Sequence, residues 1–263
     1  MSVLIPVVVA VALWWGFTVA ALYRTGMPEE SFPRTLSLAT VFAFAGLVLI
    51  ARTAQLETVA SAYAAFAGAL LVWSWHEVSY ILGFVTGPRP EACPDDCSRG
   101  RRFLFGVQAS LYHELAIVAT GALVCMLTLG SPNRVALWTY CILWGMRWSA
   151  KLNIFLGVRN LHLDFLPARL QYLSTFVTRA SMNPLFPVSM VVGACCVAVC
   201  VARAADATTL FVTTGAVLCA TLLLLAMVEH VFLMVDVPDR ALWRLGLRPR
   251  GASHNHNNHR PQH

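Results

Sequence analysis

Long apolar runs, each separated from the next by a short polar stretch, recur along the chain from its first residues to about Val235. A helix needs about 20 mostly apolar residues to cross the bilayer core of roughly 30 Å, and seven runs come close to that length. They cover residues 3–23, 35–51, 59–87, 103–130, 135–158, 184–202 and 208–235. The pattern predicts an all-α, polytopic membrane bundle of about seven transmembrane helices, folded as one domain over residues 1–235.

Composition supports a membrane protein. Hydrophobic residues make up 58% of the 263 positions and charged residues only 12%, whereas a soluble domain carries about 25% charged residues. A soluble enzyme, a nucleic-acid-binding module and a disordered scaffold are therefore excluded. We expect the lipid bilayer as a partner and no nucleic acid, because the net charge of +6 comes from arginines between the spans.

The distribution of basic residues predicts the orientation. With seven spans, 14 of the 19 Lys and Arg residues lie on the side that holds the C-terminus and 3 lie on the other side. Cytoplasmic segments carry the excess of Lys and Arg, so we expect the N-terminus outside and the C-terminus in the cytoplasm. We also expect the first span to be retained, because residues 1–6 lack the basic residues of a signal peptide.

Three segments on the cytoplasmic side lie outside the predicted spans. Residues 168–180 place Leu170, Leu173, Phe176 and Val177 on one helical face, which is typical of an amphipathic helix at the interface. Residues 236–250 repeat arginine every four positions and predict a second interfacial segment. We expect residues 251–263, with His254, His256, His259 and His263, to form a disordered tail with weak metal affinity at most.

Eight ionisable side chains fall inside the predicted spans, where each normally needs a partner. At about 1.5 Å per residue, they lie in one layer roughly 8 to 17 Å below the cytoplasmic boundary. This intramembrane polar layer consists of His76, Glu77, His113, Glu114, Arg147, Lys151, Glu229 and His230. Four helices that place their charges at one depth indicate a single shared site.

Several kinds of chemistry fit this layer. Three carboxylates facing two cations favour a structural ion-pair network. The three His–Glu pairs, His76–Glu77, His113–Glu114 and Glu229–His230, also suggest iron or manganese ligation, although adjacent residues diverge by about 100° around a helix. A histidine such as His76 or His113 is also a candidate axial ligand for the magnesium of bacteriochlorophyll, and proton transfer is a further alternative. No catalytic residue follows from these patterns.

The loop between the third and fourth spans holds Cys93 and Cys97 in a C-x3-C spacing. Because this loop is predicted to be cytoplasmic, we expect no stable disulfide there. An ordinary polar loop and a half zinc site or redox pair are the two interpretations.

Three stretches resemble a known family. They are SLYHELAIVATGAL in the fourth span, LWGMRWSAKLNIFLGVRNLHLDFLP from Leu143, and TRASMNPLFP at 178–187. Together they resemble the photosynthetic complex assembly protein family PuhE of purple phototrophic bacteria, over nearly the whole chain. The resemblance implies a role in assembling the reaction centre and the core light-harvesting complex, beside the genes of the reaction centre H subunit, with a link to bacteriochlorophyll production.

Three functional hypotheses follow. The first is an integral membrane assembly factor in the bacterial inner (intracytoplasmic) membrane, which handles bacteriochlorophyll or modulates its production and has reaction centre or core light-harvesting subunits and their assembly factors as partners. The second is a metal-dependent membrane oxidoreductase of tetrapyrrole metabolism that uses the intramembrane His and Glu residues. The third is a proton-coupled transporter, disfavoured because no inverted repeat is visible.

Overall fold

Long α-helices make up nearly all of the structure. The computed structural model describes residues 3–160 and 166–235, and within these ranges it contains seven long α-helices and two short 3-10 segments, Glu29–Ser31 and Ala168–Phe176. The α-helices are α1 Leu4–Thr25, α2 Phe32–Thr53, α3 Val59–Ile81, α4 Arg99–Thr128, α5 Val135–Leu156, α6 Leu185–Ala205 and α7 Leu210–Met234. These ranges hold no strand beyond one isolated bridge between Val158 and Arg179, which confirms the all-α fold. The segments predicted at 236–250 and 251–263 lie outside the described residues.

The length and the apolar surface of the helices are typical of a membrane protein. Five of the seven helices, α1, α2, α4, α6 and α7, are long and apolar enough to cross a bilayer by length and composition. Only 11% of the most apolar stretch of α1 and 6% of that of α6 is buried inside the protein. Large apolar side chains such as Phe44 and Val199 remain 65% and 68% exposed. Apolar surface on this scale is uncommon on a soluble monomer, so these faces meet lipid.

The helix α7 lies at the centre of the bundle. It is apolar over most of its length, and 67% of its most apolar stretch is buried, as expected for a helix packed inside a bundle. It contacts α1, α3, α5 and α6. Leu218 and Leu222 of α7 join Phe66 of α3, Ile117 of α4 and Tyr140 of α5 in the main hydrophobic core.

Several element boundaries differ from the sequence prediction, and two of them have a clear local cause. The helix α2 begins three residues early, because Pro33 lies in its first turn, where a missing N–H costs nothing. The helix α3 ends at Ile81 rather than at residue 87, because Gly83 has a φ of +75° that turns the chain back. The returning chain packs on α4, where the His113 N–H donates to the Thr86 carbonyl at 2.9 Å.

Two buried asparagines fix the ends of α5. At its start, the Asn133 carboxamide oxygen accepts from the Val135 N–H while its Nδ2 donates to the carbonyls of Thr53 and Ser61. At its end, the Asn183 Nδ2 donates to the Gly157 carbonyl, and its oxygen caps the first N–H groups of α6. Each asparagine satisfies helix-end groups that would otherwise lack a partner inside the bilayer boundary. The position of α5 is thereby set from both ends.

The segment predicted as an amphipathic interfacial helix at 168–180 forms a 3-10 helix, Ala168–Phe176, instead. Leu170 and Phe176 are buried against the protein, and the Arg169 guanidinium lies over the rings of Phe32 and Phe84. The expectation of a helix lying against lipid headgroups is therefore wrong for these residues. They cover the ends of α2, α3 and α4 because those ends expose apolar rings.

The helices α2 and α3 make the closest helix contact of the bundle. A Cβ atom on Gly46 would lie 2.6 Å from the Gly68 carbonyl oxygen, and one on Gly68 would lie 2.9 Å from the Gly46 carbonyl oxygen. Small residues at a crossing let two backbones approach each other, which is the main source of attraction between helices in lipid.

We expect Gly46→Ala to destabilise the protein by about 1 to 3 kcal/mol, because the added methyl group meets backbone rather than a movable side chain. The matched control is Gly16→Ala on α1, where an added Cβ meets nothing within 4 Å. Thermal unfolding of both variants in one detergent measures the difference. Equal stability of the two variants would contradict the close contact.

Candidate functional site

Two cations on α5 organise the polar layer. Arg147 and Lys151 lie one turn apart on the same face of the helix. The Arg147 Nη1 donates to the Glu77 Oε2 of α3 at 2.6 Å, and the Lys151 Nζ donates to the Glu114 Oε1 of α4. Each cation therefore neutralises a carboxylate from a different neighbouring helix, as partly buried charges require.

The three His–Glu pairs divide between two environments. His76, His113 and His230 are 0%, 0% and 2% exposed, whereas Glu77 and Glu114 reach α5. This division follows from the turn of about 100° between adjacent helical residues. The histidines belong to the core, and the carboxylates belong to the surfaces between the helices.

Two of the histidines are tied into hydrogen bonds that fix their tautomers. The Tyr140 hydroxyl donates to the Ile117 carbonyl at 2.8 Å, so the His76 Nε2, 3.2 Å away, is the donor to the Tyr140 oxygen. The His230 Nδ1 donates to the Ala226 carbonyl at 2.8 Å, and its Nε2 forms a hydrogen bond of 2.9 Å with the Ser149 hydroxyl.

His113 has a different environment. Its ring stacks on Tyr80 with 4.5 Å between the ring centroids and lies edge-on to His76 at 6.2 Å. Neither ring nitrogen finds a hydrogen-bond partner among the described residues, and the His76 Nδ1 also lacks one there. Both rings are fully enclosed, so a tetrapyrrole would reach either histidine only if α3 and α4 separated. Axial ligation of bacteriochlorophyll stays a prediction.

The donors proposed for a metal do not converge. Within residues 3–160 and 166–235 no group of three or more His, Cys, Asp or Glu side chains is arranged to hold a metal ion. The carboxylates of Glu77 and Glu114 already bind cations, and the His230 Nε2 already forms a hydrogen bond with Ser149. Metal ligation by His76, Glu77, His113, Glu114, Glu229 and His230 stays a prediction that these contacts disfavour.

A cleft of about 390 Å³ opens beside the ion pairs. The helices α1 and α5 form its walls, while α3 and α7 form its floor. The polar members of its lining include Glu77, Arg147, Glu229 and His230, and its apolar members include Trp14, Phe17, Trp73, Met146 and Leu222. Glu229, exposed on α7, has no hydrogen bond or ion pair among the described residues but lies within electrostatic range of Arg147 and Glu77.

The expectation of unpaired thiols at Cys93 and Cys97 is corrected by the structure, in which the two cysteines form a disulfide. A turn in which the Cys97 N–H donates to the Pro94 carbonyl brings them together. Cys93 is 8% exposed and packs with Ala109 and Phe176. The pair therefore fastens the loop to α4 and to the 3-10 segment, and its thiolates are not available as zinc ligands.

Sequence reasoning missed the neutral members of the site. Ser149 and Asn153 lie one turn apart on α5 and form hydrogen bonds with Ser189 of α6, which connects that helix to His230. Spacing predicts that Ser149 and Asn153 share a face, but nothing in the sequence identifies Ser189 or Tyr140 as partners. Only the asparagine-proline pair at 183–184 carries a recognisable signal, that of a helix start.

We expect Glu77→Gln to lower the free energy of unfolding by about 3 kcal/mol or more, because it leaves Arg147 without its counter-charge. The double variant Glu77→Gln, Arg147→Gln should lose less free energy of unfolding than the two single variants lose together. Arg203→Gln, at an exposed arginine at the end of α6, is the control. Unfolding by a denaturing detergent measures the stability of the wild type, the two single variants, the double variant and the control. Additive losses of stability would exclude a direct ion pair.

The comparisons with known proteins identify the family. The family model DUF3623, described as a protein of unknown function, matches residues 1–254. The chain is also 36% identical over 235 residues to a 30.4 kDa protein of Rhodobacter capsulatus encoded in the puhA 5′ region, a match that covers 88% of this chain and 86% of that protein. No solved structure matches the chain. The match over nearly the full length shows that this chain belongs to the DUF3623 family.

Proposed function

We propose that this protein is an integral membrane factor for assembly of the photosynthetic reaction centre and the core light-harvesting complex. It acts in the bacterial inner (intracytoplasmic) membrane, where it handles bacteriochlorophyll or modulates its production. Support comes from the relative encoded in the puhA 5′ region and from the family resemblance, which implies the neighbourhood of the reaction centre H-subunit gene. The partners are reaction centre or light-harvesting subunits and their assembly factors.

The pairing of most of the polar layer is the observation that carries this proposal. Arg147 and Lys151 each bind a carboxylate, and two of the three histidines are held by hydrogen bonds. A catalytic centre needs reactive groups that converge on one substrate position, and most of these groups are instead engaged with other protein groups. They favour a rigid scaffold whose lipid-facing surfaces do the binding.

The proposed membrane arrangement has seven spans with the N-terminus outside. Contacts between loops support it, because Gln55 of the α2–α3 loop bonds Ser131 of the α4–α5 loop at one end of the bundle. At the other end, the backbone N–H groups of Arg159 and Asn160 donate to the Leu233 carbonyl. Connections that alternate between two ends are what seven successive crossings produce. The Cys93–Cys97 disulfide argues for the opposite orientation, because disulfides are rare in the cytoplasm.

Alkaline phosphatase fusions decide the orientation. We expect fusions that end at Glu57 or Asp206 to be active, because the enzyme folds only outside the cytoplasm, and fusions that end at Met27 or Glu91 to be inactive. Green fluorescent protein at the same four positions is the control and should give the reverse pattern. Activity at Met27 and Glu91 would place the arginine-rich loops and the disulfide outside.

A metal-dependent membrane oxidoreductase of tetrapyrrole metabolism is the second candidate. One observation favours it: the nitrogens of His113 and the Nδ1 of His76 have no hydrogen-bond partner among the described residues, as expected of groups that wait for a ligand. The two histidines offer too few donors for a metal on their own, and Arg147 and Lys151 in the same layer would repel the ion.

Deletion of the gene from a pigment-producing purple bacterium separates the two candidates. We expect fewer reaction centre and core light-harvesting complexes in the membrane spectrum, with pigment precursors unchanged, and recovery on complementation with the wild-type gene. Complementation with Glu114→Gln tests the polar layer, and the Arg203→Gln gene is the matched control. Accumulation of one tetrapyrrole precursor in the deletion strain would instead identify an enzyme.

The protein purified in mild detergent from the same host provides a second readout. A near-infrared pigment band at one pigment per chain would support bacteriochlorophyll handling. About one or two iron or manganese ions per chain without pigment would support the oxidoreductase.

A further inference from the structure

The cleft between α1 and α5 opens beside Glu229, the carboxylate of the polar layer that has no ion pair among the described residues. Glu77 and Glu114 each have a cation of α5, but Glu229 forms no ion pair within the described ranges. Its side chain is exposed and lines the cleft together with the Arg147–Glu77 pair. A polar group in such a position, inside a bilayer, needs a hydrogen-bond partner that water does not supply.

The size of the cleft selects the kind of occupant. Its lining runs from Leu70 to Ile81 on α3 and from Leu222 to Leu233 on α7, a length of about 16 Å at about 1.5 Å per residue. Its volume of about 390 Å³ lies in the range of small-molecule sites, so the space suits a chain-like molecule.

The walls of the cleft are suited to a hydrocarbon chain. Trp14 and Phe17 of α1 face Ile142 and Met146 of α5, with Leu222 in the floor. Ala21 and Ala150 keep the space open, because larger residues at either position would fill it. Since α1 and α5 are separated here and both contact lipid, a membrane-dissolved molecule enters from the bilayer without crossing the protein.

The polar end of the cleft specifies the head group. The Glu229 carboxylate accepts hydrogen bonds, and the Arg147 guanidinium, which carries five N–H donors and uses Nη1 for Glu77, has others to donate. A hydroxyl group both donates and accepts, so it satisfies the two residues at once. An ammonium head could donate to Glu229 but has no lone pair to accept from Arg147.

The depth of Glu229 excludes a phospholipid head. Glu229 precedes the end of α7 at Met234 by about 8 Å of helix rise, inside the hydrocarbon region. A phosphate at that depth is costly, whereas a hydroxyl group is not charged.

We propose that this cleft binds one uncharged, single-chain membrane lipid with a hydroxyl-bearing head, of the isoprenoid or long-chain alcohol class, with the hydroxyl held between Glu229 and Arg147. The chain lies along α3 and α7 between the walls of α1 and α5. This binding site is independent of the assembly function, since it rests on the cleft alone.

Photolabelling in nanodiscs of phosphatidylcholine tests the proposal. The probe is hexadecanol with a diazirine on its chain, and unlabelled hexadecanol is the competitor. We expect saturable labelling of the cleft walls of α1 and α5, located by mass spectrometry of the digested protein. Glu229→Leu, which removes the acceptor at similar size, should reduce the saturable labelling by about tenfold or more, the scale of one hydrogen bond to a charged group.

A matched pair of variants tests the chain site separately. Ala21→Phe fills the cleft, and Ala20→Phe places the same ring on the lipid-exposed side of α1. We expect Ala21→Phe to abolish saturable labelling and Ala20→Phe to leave it unchanged, with thermal unfolding showing that both variants fold. Because Glu229→Leu adds no bulk to the walls, it keeps the proposal testable if Ala21→Phe does not fold.

Three outcomes would overturn the proposal. The first is labelling that hexadecanol does not compete away. The second is equal labelling by diazirine-bearing phosphatidylcholine or hexadecylamine, which would indicate bulk lipid or a cationic ligand. The third is unchanged labelling in a folded Ala21→Phe or Glu229→Leu variant. A deletion strain with normal amounts of photosynthetic complexes would contradict the proposed assembly function, but it would not change any of these labelling results. The two proposals can therefore fail separately.

Discussion

The pairing of Arg147 and Lys151 with Glu77 and Glu114 sets the arrangement of the bundle, because a partly buried charge without its counter-charge is costly. One helix carries both cations, and two different helices carry the carboxylates. The helix α5 must therefore lie against α3 and α4 in a single register, since a shift of one turn would separate both pairs. Asn133 and Asn183 hold the two ends of α5, so the same register is enforced three times along one helix.

The remaining helices arrange themselves around this fixed core. The apolar helix α7 fills the centre and contributes His230, which reaches Ser149 of α5 and through Ser189 the start of α6. The helices α1, α2 and α6 keep most of their surface toward lipid. A rigid interior with wide lipid-facing surfaces suits a protein that presents or holds other membrane components, and it leaves one carboxylate, Glu229, at the single-chain cleft beside the ion pairs.

In the candidate site, residues that are adjacent in sequence lie on different sides of their helix. Three neighbouring His–Glu pairs suggest a common ligand set, but a step of about 100° sends the members of each pair to different sides. The histidines become core residues with hydrogen bonds to Tyr140 and Ser149, or, for His113, with a ring stacked on Tyr80. The glutamates become partners of cations or line the cleft. The main effect of the charges is therefore to fix the register of the helices against one another.

The sequence by itself determined the membrane character, the all-α fold and most helix positions to within a few residues, because apolar length and charge are local properties of the chain. The family also follows from the sequence. Only the tertiary structure decided which carboxylate meets which cation, that residues 168–176 pack on the protein rather than on lipid, and that Cys93 and Cys97 form a bond. It also decided that Glu229 lines a cleft without an ion pair to any residue in 3–160 or 166–235. These facts depend on contacts between residues far apart in the chain, and no periodicity within one helix specifies the face that its neighbour presents.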